Sequence, residues 1–500
     1  ALDLVASKME EVVDKYGPYS ITTAYQPSVH LERLFALWGA GIEGWGWCSM
    51  DSGRLAMHLM GGIPGWSYSE ASNDLADVLL NSKLIVLWGF AATINHMGPG
   101  HQVAYYLRMA RERGTPVICI DPRYTVAAEV VADQWIPIKP GTDTAMMLAI
   151  AYILFSENLY NREYVEKFVD PRGVEEWSAH VLGKTDGIPK TPEWAEKICG
   201  VPAETIREFT YLYARTKPTW LWLGWGPPRK SRGENVVRAA GALQAITGNW
   251  GVAGGSIPFQ LGTYMKPTGM ISYGELPKVR VPKMYRSHKW AQMVLLKEKV
   301  DSGELSEEEY KRIIGWRAPN DLPLPNPKIL MGGGTWLHNT RTVVNAADSS
   351  NDHIKAADKM DLVVWMHSHM SPALWISDVI LPVADQALED RRIWGGGSPQ
   401  YGGFVNMTYV SGVAESPGEA KPAHWIYTEL ARRLGIGDLY NTYCEEGGDW
   451  WEGWEKYLKG EYERMSGELR GRGGNPPGWE GFKKSGVYNV QEINEKPFYG

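Results

Sequence analysis

Cys48 is one of only four cysteines and sits in Trp45-Gly46-Trp47-Cys48-Ser49-Met50-Asp51-Ser52-Gly53-Arg54. Glycines and tryptophans precede it and a short polar run follows. A thiolate in that setting could ligate a soft metal; a lone free cysteine is more often a small buried hydrophobe, so residue type alone leaves both readings open. Three further groups could do chemistry. Asp121 ends the apolar run Pro116-Val117-Ile118-Cys119-Ile120. An acid at the carboxyl end of a buried strand can accept hydrogen bonds from a ribose; capping the next turn, with Pro122 behind it, is the equal alternative. In Pro140-Gly141-Thr142-Asp143, Thr142 or Asp143 could cap a helix, or Asp143 could instead offer its carboxylate to the donor edge of a guanine. Arg229, at the end of Gly224-Trp225-Gly226-Pro227-Pro228-Arg229, could clamp a phosphate or lie on the surface.

The elements that must position these residues read as α/β. Leu84 to Trp88, Val117 to Ile120, Thr219 to Leu223 and Leu362 to Met366 are continuous apolar runs, the pattern of parallel strands covered on both faces. Gly89, Asp121, Gly224 and His367 follow them directly. Helical spacing is expected over Leu2–Tyr16, His30–Trp38, Gln102–Arg113, from Thr142 or Asp143 through Ile153, and over Pro192 onward, Pro202–Arg215, Glu234–Ile246 and Ala423–Gly435. Shorter strands are expected at Ser20–Tyr25, Trp135–Ile138, Lys328–Met331 and Asp378–Pro382. Residues 256–325 show no clear rhythm beyond a charged helix at Ser306–Ile314, and 441–500 read as a wrapping tail. The expected architecture is two doubly wound Rossmann-like lobes.

Bulk properties narrow the field. Five hundred residues exceed one core. A net charge of −7 without a Lys/Arg cluster gives no footprint for nucleic acid. No apolar run reaches the ~18 residues of a membrane span. The cysteines at 48, 119, 199 and 444 form no C-x-x-C pair, which argues against a zinc ribbon or an iron–sulfur cluster held by this chain alone. No G-x-G-x-x-G follows a strand, so an ordinary NAD site is not indicated. The 23 Trp and 55 Gly fit a cleft with large aromatic surfaces and close backbone approach.

Taken in order, the stretches Asn81–Leu87, Asp121-Pro122-Arg123-Tyr124-Thr125, Ile136–Asp143, Lys190-Thr191-Pro192-Glu193-Trp194-Ala195, Gly224–Arg229, Thr247-Gly248-Asn249 with Gly254-Gly255, and Ser377–Pro382 resemble the catalytic subunits of the dimethyl sulfoxide reductase superfamily. The Lys190 and Gly224 blocks are most similar to its membrane-anchored branch. The resemblance implies a discontinuous first lobe (1–50 plus 325–465), an inserted second lobe (51–255), a connecting segment (256–324) and a tail (466–500). It implies molybdenum or tungsten on bis(molybdopterin guanine dinucleotide), with Cys48 as the metal's ligand and Ser49, Asp51 and Ser52 as alternatives. Asp121 and Asp143 match acids that hold one guanosine, and Asp378 the acid for the other. Arg229 and Gly332, Gly333 and Gly334 match pterin- or phosphate-contacting loops, with Gly89, Arg123, Gly141, Gly224, Trp225 and Gly226 as further cofactor contacts.

The departures also speak. The dimethyl sulfoxide reductases usually carry serine where Cys48 stands; the cysteine-ligated members include polysulfide- and thiosulfate-type reductases, periplasmic nitrate reductases and a tungsten hydratase acting on acetylene. The expected activity is reduction of a small oxo or sulfur substrate, with Cys48, Asp51 and His96 at the reacting centre and Trp45 and Trp47 lining the approach. Electrons would pass through an iron–sulfur partner subunit, with a membrane anchor as a further partner and an extracytoplasmic or membrane-associated setting; a cytoplasmic one stays open. A [4Fe–4S] cluster would lie on that partner or on a segment outside this sequence, since the N-terminal cysteines that bind it in many members of the family are absent here; a partial chain is expected, since Gly500 ends mid-pattern for the family. The alternative is a non-redox hydratase in which Asp51 moves a proton at an activated water.

Overall fold

The computed structural model describes residues 1–23, 28–46, 51–61, 75–93, 100–256, 282–318, 322–333, 349–384, 392–396, 406–412, 414–440, 450–471 and 473–489. In chain order its frame strands are β1 (Ile21–Thr23), β2 (Glu43–Trp45), β3 (Leu84–Trp88), β4 (Val117–Ile120), β5 (Gln134–Ile136), β6 (Thr219–Leu223), β7 (Lys283–Arg286), β8 (Ile329–Gly333), β9 (Leu362–His367) and β10 (Val379–Pro382). The chain divides into two compact units. One comprises Ala1–Cys48, Met270–Trp394 and Met407–Tyr488; the other comprises Ser49–Gly269 with Gly395–Asn406 and Asn489–Gly500.

Each unit holds a four-stranded sheet whose named pairings are all parallel. In the second unit the order is β5-β4-β3-β6, with Val86 opposite Ile118 and Leu221. Side chains alternate between faces along a strand, and here both faces are apolar. Leu84, Val86, Trp88, Ile118 and Ile120 pack with the helices Asp143–Ser156, Ala203–Arg215 and Glu234–Ile246. Ile85, Leu87, Val117, Cys119 and Trp220 pack with Leu75–Asn81 and Gly100–Glu112. This double covering is why these strands read as unbroken apolar runs rather than alternating ones.

The first unit repeats the arrangement with the order β1-β8-β9-β10. One face (Ile21, Ile329, Met331, Val364, Met366) meets Leu2–Tyr16, Val29–Trp38 and Ala423–Arg433; the other (Leu330, Val363, Trp365) meets Trp290–Asp301 and Glu307–Ile314. The protein is thus an α/β protein built on parallel sheets.

Three expectations are corrected. Within 256–325, taken as irregular, β7 pairs in parallel with β2, and Trp290–Asp301 is a helix with Trp290 and Met293 buried. The tail carries a 22-residue helix, Trp450–Gly471, whose buried Trp454, Leu458, Tyr462, Met465 and Leu469 form one stripe at helical spacing. Exposed Glu, Lys and Arg between them mask that stripe in composition. Thr142 also differs from expectation: it stands at the N-cap of Asp143–Ser156, but its hydroxyl donates to the Lys139 carbonyl (2.6 Å) and caps nothing.

Candidate functional site

In doubly covered parallel sheets the carboxyl ends of the strands face the ligand. At that edge of the second unit four loops converge. Gly89 follows β3 and Gly224 follows β6; the Gly224 amide donates to the Trp88 carbonyl (2.8 Å) and the Gly89 amide to the Ile120 carbonyl (2.7 Å). A Cβ on Gly224 would stand against the Gly89 carbonyl oxygen, and one on Gly89, whose φ is +61°, against the Pro227 ring. These glycines are therefore required first by two backbones crossing, before any ligand is considered. Gly141 (φ +82°) turns the loop after β5, and the Lys230 side chain reaches within 3.6 Å of its absent Cβ. The Ser52 hydroxyl donates to the Pro228 carbonyl (2.8 Å) and so holds the Gly224–Arg229 loop to the helix Asp51–Gly61.

Two acids lie at this edge. Asp121 is 7% exposed, and its Oδ1 accepts the Arg123 amide at 2.9 Å in a turn closed over Pro122. The Trp135 indole donates to its carbonyl at 2.9 Å. Burial raises the Asp121 carboxyl above the usual carboxylate range; the Arg123 amide and guanidinium oppose that shift and the neighbouring Asp143 adds to it. Asp143 is 4% exposed. Its Oδ1 accepts the Trp88 indole N–H at 3.0 Å, while its buried Oδ2 has no hydrogen-bond partner among the described residues. Trp88 thus aims the carboxylate, a role sequence reading did not give it. The Arg123 side chain is exposed, and the exposed Arg229 lies over the half-buried Trp225 ring at 5.3 Å, with Gly226 exposed between them in the same loop.

In the first unit, Gly332 is buried where a Cβ would run into the Trp365 ring, and Gly333 ends β8. Asp378 sits elsewhere. It precedes β10 at the amino-terminal edge, and its Oδ2 accepts the Val363 amide at 2.7 Å. The structure therefore brings Gly89, Asp121, Gly141, Asp143, Gly224 to Gly226 and Arg229 to one edge of one sheet, and sets Asp378 at the opposite kind of edge in the other unit.

The stretch before Cys48 is firmly held. Trp45 donates from its indole to the Gly315 carbonyl (2.8 Å), and the Arg317 guanidinium lies 3.5 Å from its ring centroid. Glu43 is buried beside Lys283 (3.2 Å), and burial together with Glu32 pushes its carboxyl up to about 8. Trp47, Cys48, Ser49, His96 and Gly334 lie outside the described residues; Asp51 opens the helix Asp51–Gly61. Cys119 and Cys199 are buried free thiols; burial pushes Cys119 up to about 12 and raises Cys199 as well.

A parallel α/β frame covered by helices on both faces, with buried acids at the carboxyl ends of its strands, places the protein among the doubly wound α/β proteins. The family model for molybdopterin oxidoreductases matches residues 1–433, and the chain belongs to that family. It is 29% identical to the dimethyl sulfoxide reductase DmsA of Escherichia coli (strain K12), over 98% of this chain and 59% of that protein. It is 27% identical to a trimethylamine-N-oxide reductase of Haemophilus influenzae, over 88% of this chain and 54% of the other. The chain thus spans under two thirds of the length of these relatives. Among solved structures, the acetylene hydratase of Pelobacter acetylenicus shares the fold, with a TM-score of 0.62 and 21% identity over 97% of this chain and 62% of that one.

Proposed function

We propose that this chain is the cofactor-holding part of a reductase catalytic subunit, in which a molybdenum or tungsten bis(molybdopterin guanine dinucleotide), ligated by Cys48, reduces a small oxo or sulfur compound. The observation that carries the reading is the buried, unpartnered Oδ2 of Asp143. A buried carboxylate oxygen needs donors, and the adjacent N–H groups of a guanine edge supply them. The residues present therefore fit the nucleotide end of such a group. Asp143, aimed by the Trp88 indole, receives the base; Asp121, fixed by the Arg123 amide, receives a ribose hydroxyl; Arg229 and Lys230 offer positive charge to the linking phosphates. When bound, the group supplies two-electron redox chemistry at its metal. Electrons would be exchanged through an iron–sulfur partner, with a membrane anchor as a further subunit and an extracytoplasmic or membrane-associated setting. No helix among the described residues is long and apolar enough to cross a membrane.

The test is elemental and pterin analysis of purified protein, followed by reduction with dithionite and reoxidation with an S-oxide, polysulfide or nitrate. Metal and guanine nucleotide in the wild type, reoxidation by one of these acceptors, and loss of turnover in Cys48→Ala are expected. Hydration of acetylene without any change of metal oxidation state would replace the reductase by the hydratase. Full metal content and turnover in Cys48→Ala would remove the ligand assignment.

A further inference from the structure

Within the first unit, positive charge gathers where no acid meets it. Trp45 on β2 lies opposite Arg286 on β7, at the carboxyl ends of two parallel strands. A third segment joins them. Gly315 (φ +65°) stops the helix Glu307–Ile314, and a Cβ there would come within 3.1 Å of both the Arg286 and Trp45 side chains. The Trp45 indole donates to the Gly315 carbonyl at 2.8 Å, and the Arg317 amide donates to the Met284 carbonyl at 2.9 Å. β2 is pinned as closely. A Cβ on Gly44 would strike the Ser287 backbone, and the Ser287 hydroxyl donates to the Gly46 carbonyl at 3.0 Å. Gly46 stands two residues before Cys48 in the sequence. Three backbone segments thus fix one indole ring and two arginines.

Both guanidiniums lie over that ring, Arg317 at 3.5 Å and Arg286 at 5.5 Å from its centroid. They are no farther apart than the sum of those distances, and like charges held so close repel. Neither has an ion-pair partner among the described residues, and Glu43, the acid on β2, is taken by Lys283 at 3.2 Å. Arg286 Nε is buried without a hydrogen-bond partner among the described residues, and so is the indole Nε1 of Trp316, the residue before Arg317. Buried N–H donors are nearly always satisfied in a folded protein. Contact with the ring leaves the charge in place, and a guanidinium fork matches the paired oxygens of an oxyanion.

We infer that Arg286 and Arg317, stacked on Trp45, form a binding site for a small oxyanion within the first unit. The site itself needs no cofactor. Its consequence for the reaction rests on the function proposed above: the compound reduced is an oxyanion of the nitrate or thiosulfate kind, selected by charge over a neutral S-oxide.

The test is equilibrium dialysis of the purified holoprotein against radiolabelled thiosulfate at low salt, with circular dichroism and metal content measured for every variant. The wild type should bind one equivalent, displaced by nitrate and not by dimethyl sulfoxide. Arg286→Gln and Arg317→Gln should each weaken binding about 10- to 100-fold, the effect of losing a hydrogen bond to a charged group. Arg317→Lys keeps the charge without the fork and should weaken it less. Arg312→Gln removes a charge from the adjoining helix, where Arg312 pairs with Glu309 at 2.6 Å, and should bind as the wild type does. Equal weakening in Arg312→Gln would reduce the effect to overall charge and overturn the site. So would unchanged binding by folded Arg286→Gln and Arg317→Gln, or no binding by the wild type. Loss of metal or guanine nucleotide from the glutamine variants would hand these arginines to the cofactor and overturn the site too. Thiosulfate binding by wild-type protein that carries no metal or pterin would support the site and overturn the proposed reductase. In steady-state assays of the holoprotein, the glutamine variants should raise KM for thiosulfate relative to dimethyl sulfoxide. A wild type that reduces dimethyl sulfoxide faster than both nitrate and thiosulfate would overturn the substrate class alone.

Discussion

At their amino-terminal edges the two four-stranded sheets are closed by the same device: an aspartate just before the edge strand turns its carboxylate onto the first amides of the neighbouring strand. At their carboxyl edges the same register position holds Asp121 in one unit and His367 in the other, each fixed by the amide two residues on. The shared edge serves the fold, since a buried strand-end amide must find an acceptor wherever it lies. The differing edge is where a ligand would be read, and there the two units present opposite hydrogen-bonding character on the same backbone geometry.

The comparison breaks most severely at the backbone crossing. Gly224→Ala would set a Cβ against the Gly89 carbonyl, and neither strand end can yield without disturbing β3 or β6. A loss of about 3 kcal/mol in denaturant-measured stability is expected, at the upper end of overpacking costs. A neutral result would mean that the crossing is looser than described and that these glycines answer to the ligand instead.

The amino-edge clips come next. Asp378→Ala and Asp133→Ala each leave a buried valine amide without its acceptor, and each should cost about 1–2 kcal/mol in urea unfolding. The asparagine variants, which keep an oxygen in place, should lose much less. Asp133 also pairs with Arg111 at 2.7 Å, but both side chains are well exposed, so that pair adds little. If Asp378→Ala left stability untouched while lowering cofactor content, the equivalence with Asp133 would fail and a ligand role for Asp378 would return.

This equivalence was open to view in the sequence. Asp133-Gln134-Trp135-Ile136-Pro137 and Asp378-Val379-Ile380-Leu381-Pro382 share an acid, three strand residues and a proline. Proline is tolerated there because an edge strand need not donate on its outer side. The buried strands and most helices were legible because apolar periodicity records burial directly. What escaped was of another kind. An aspartate at the carboxyl end of a strand and one that clips the amino ends of two strands are the same letter, and only the end of the strand it occupies tells them apart. Trp88 reads as core, and it is core; that its indole N–H aims Asp143 depends on a neighbour 55 residues away. The helix Trp450–Gly471 escaped because its apolar stripe is built largely of Trp, Tyr and Met spread among charges.

The smallest expected effect is also the most discriminating, because it concerns sign. The Asp121 carboxyl is raised chiefly by burial, so ionising it costs the folded state. Its contribution is fully present below the ordinary aspartate value and is lost as pH rises through the raised one. Asp121→Asn keeps an acceptor for the Arg123 amide and removes that cost, so cofactor-free protein carrying it should be more stable than the wild type at neutral pH, with the gap closing on acidification. His367 should behave in the opposite sense. Its imidazole is lowered by burial, so the wild type loses stability relative to His367→Asn only as pH falls below the ordinary histidine value. Parallel urea titrations across acid and neutral pH would show two slopes of opposite sign. If Asp121→Asn proved less stable than the wild type at neutral pH, Asp121 would be needed by the fold, as Asp133 is, and the reason for assigning this edge to a ligand would be gone.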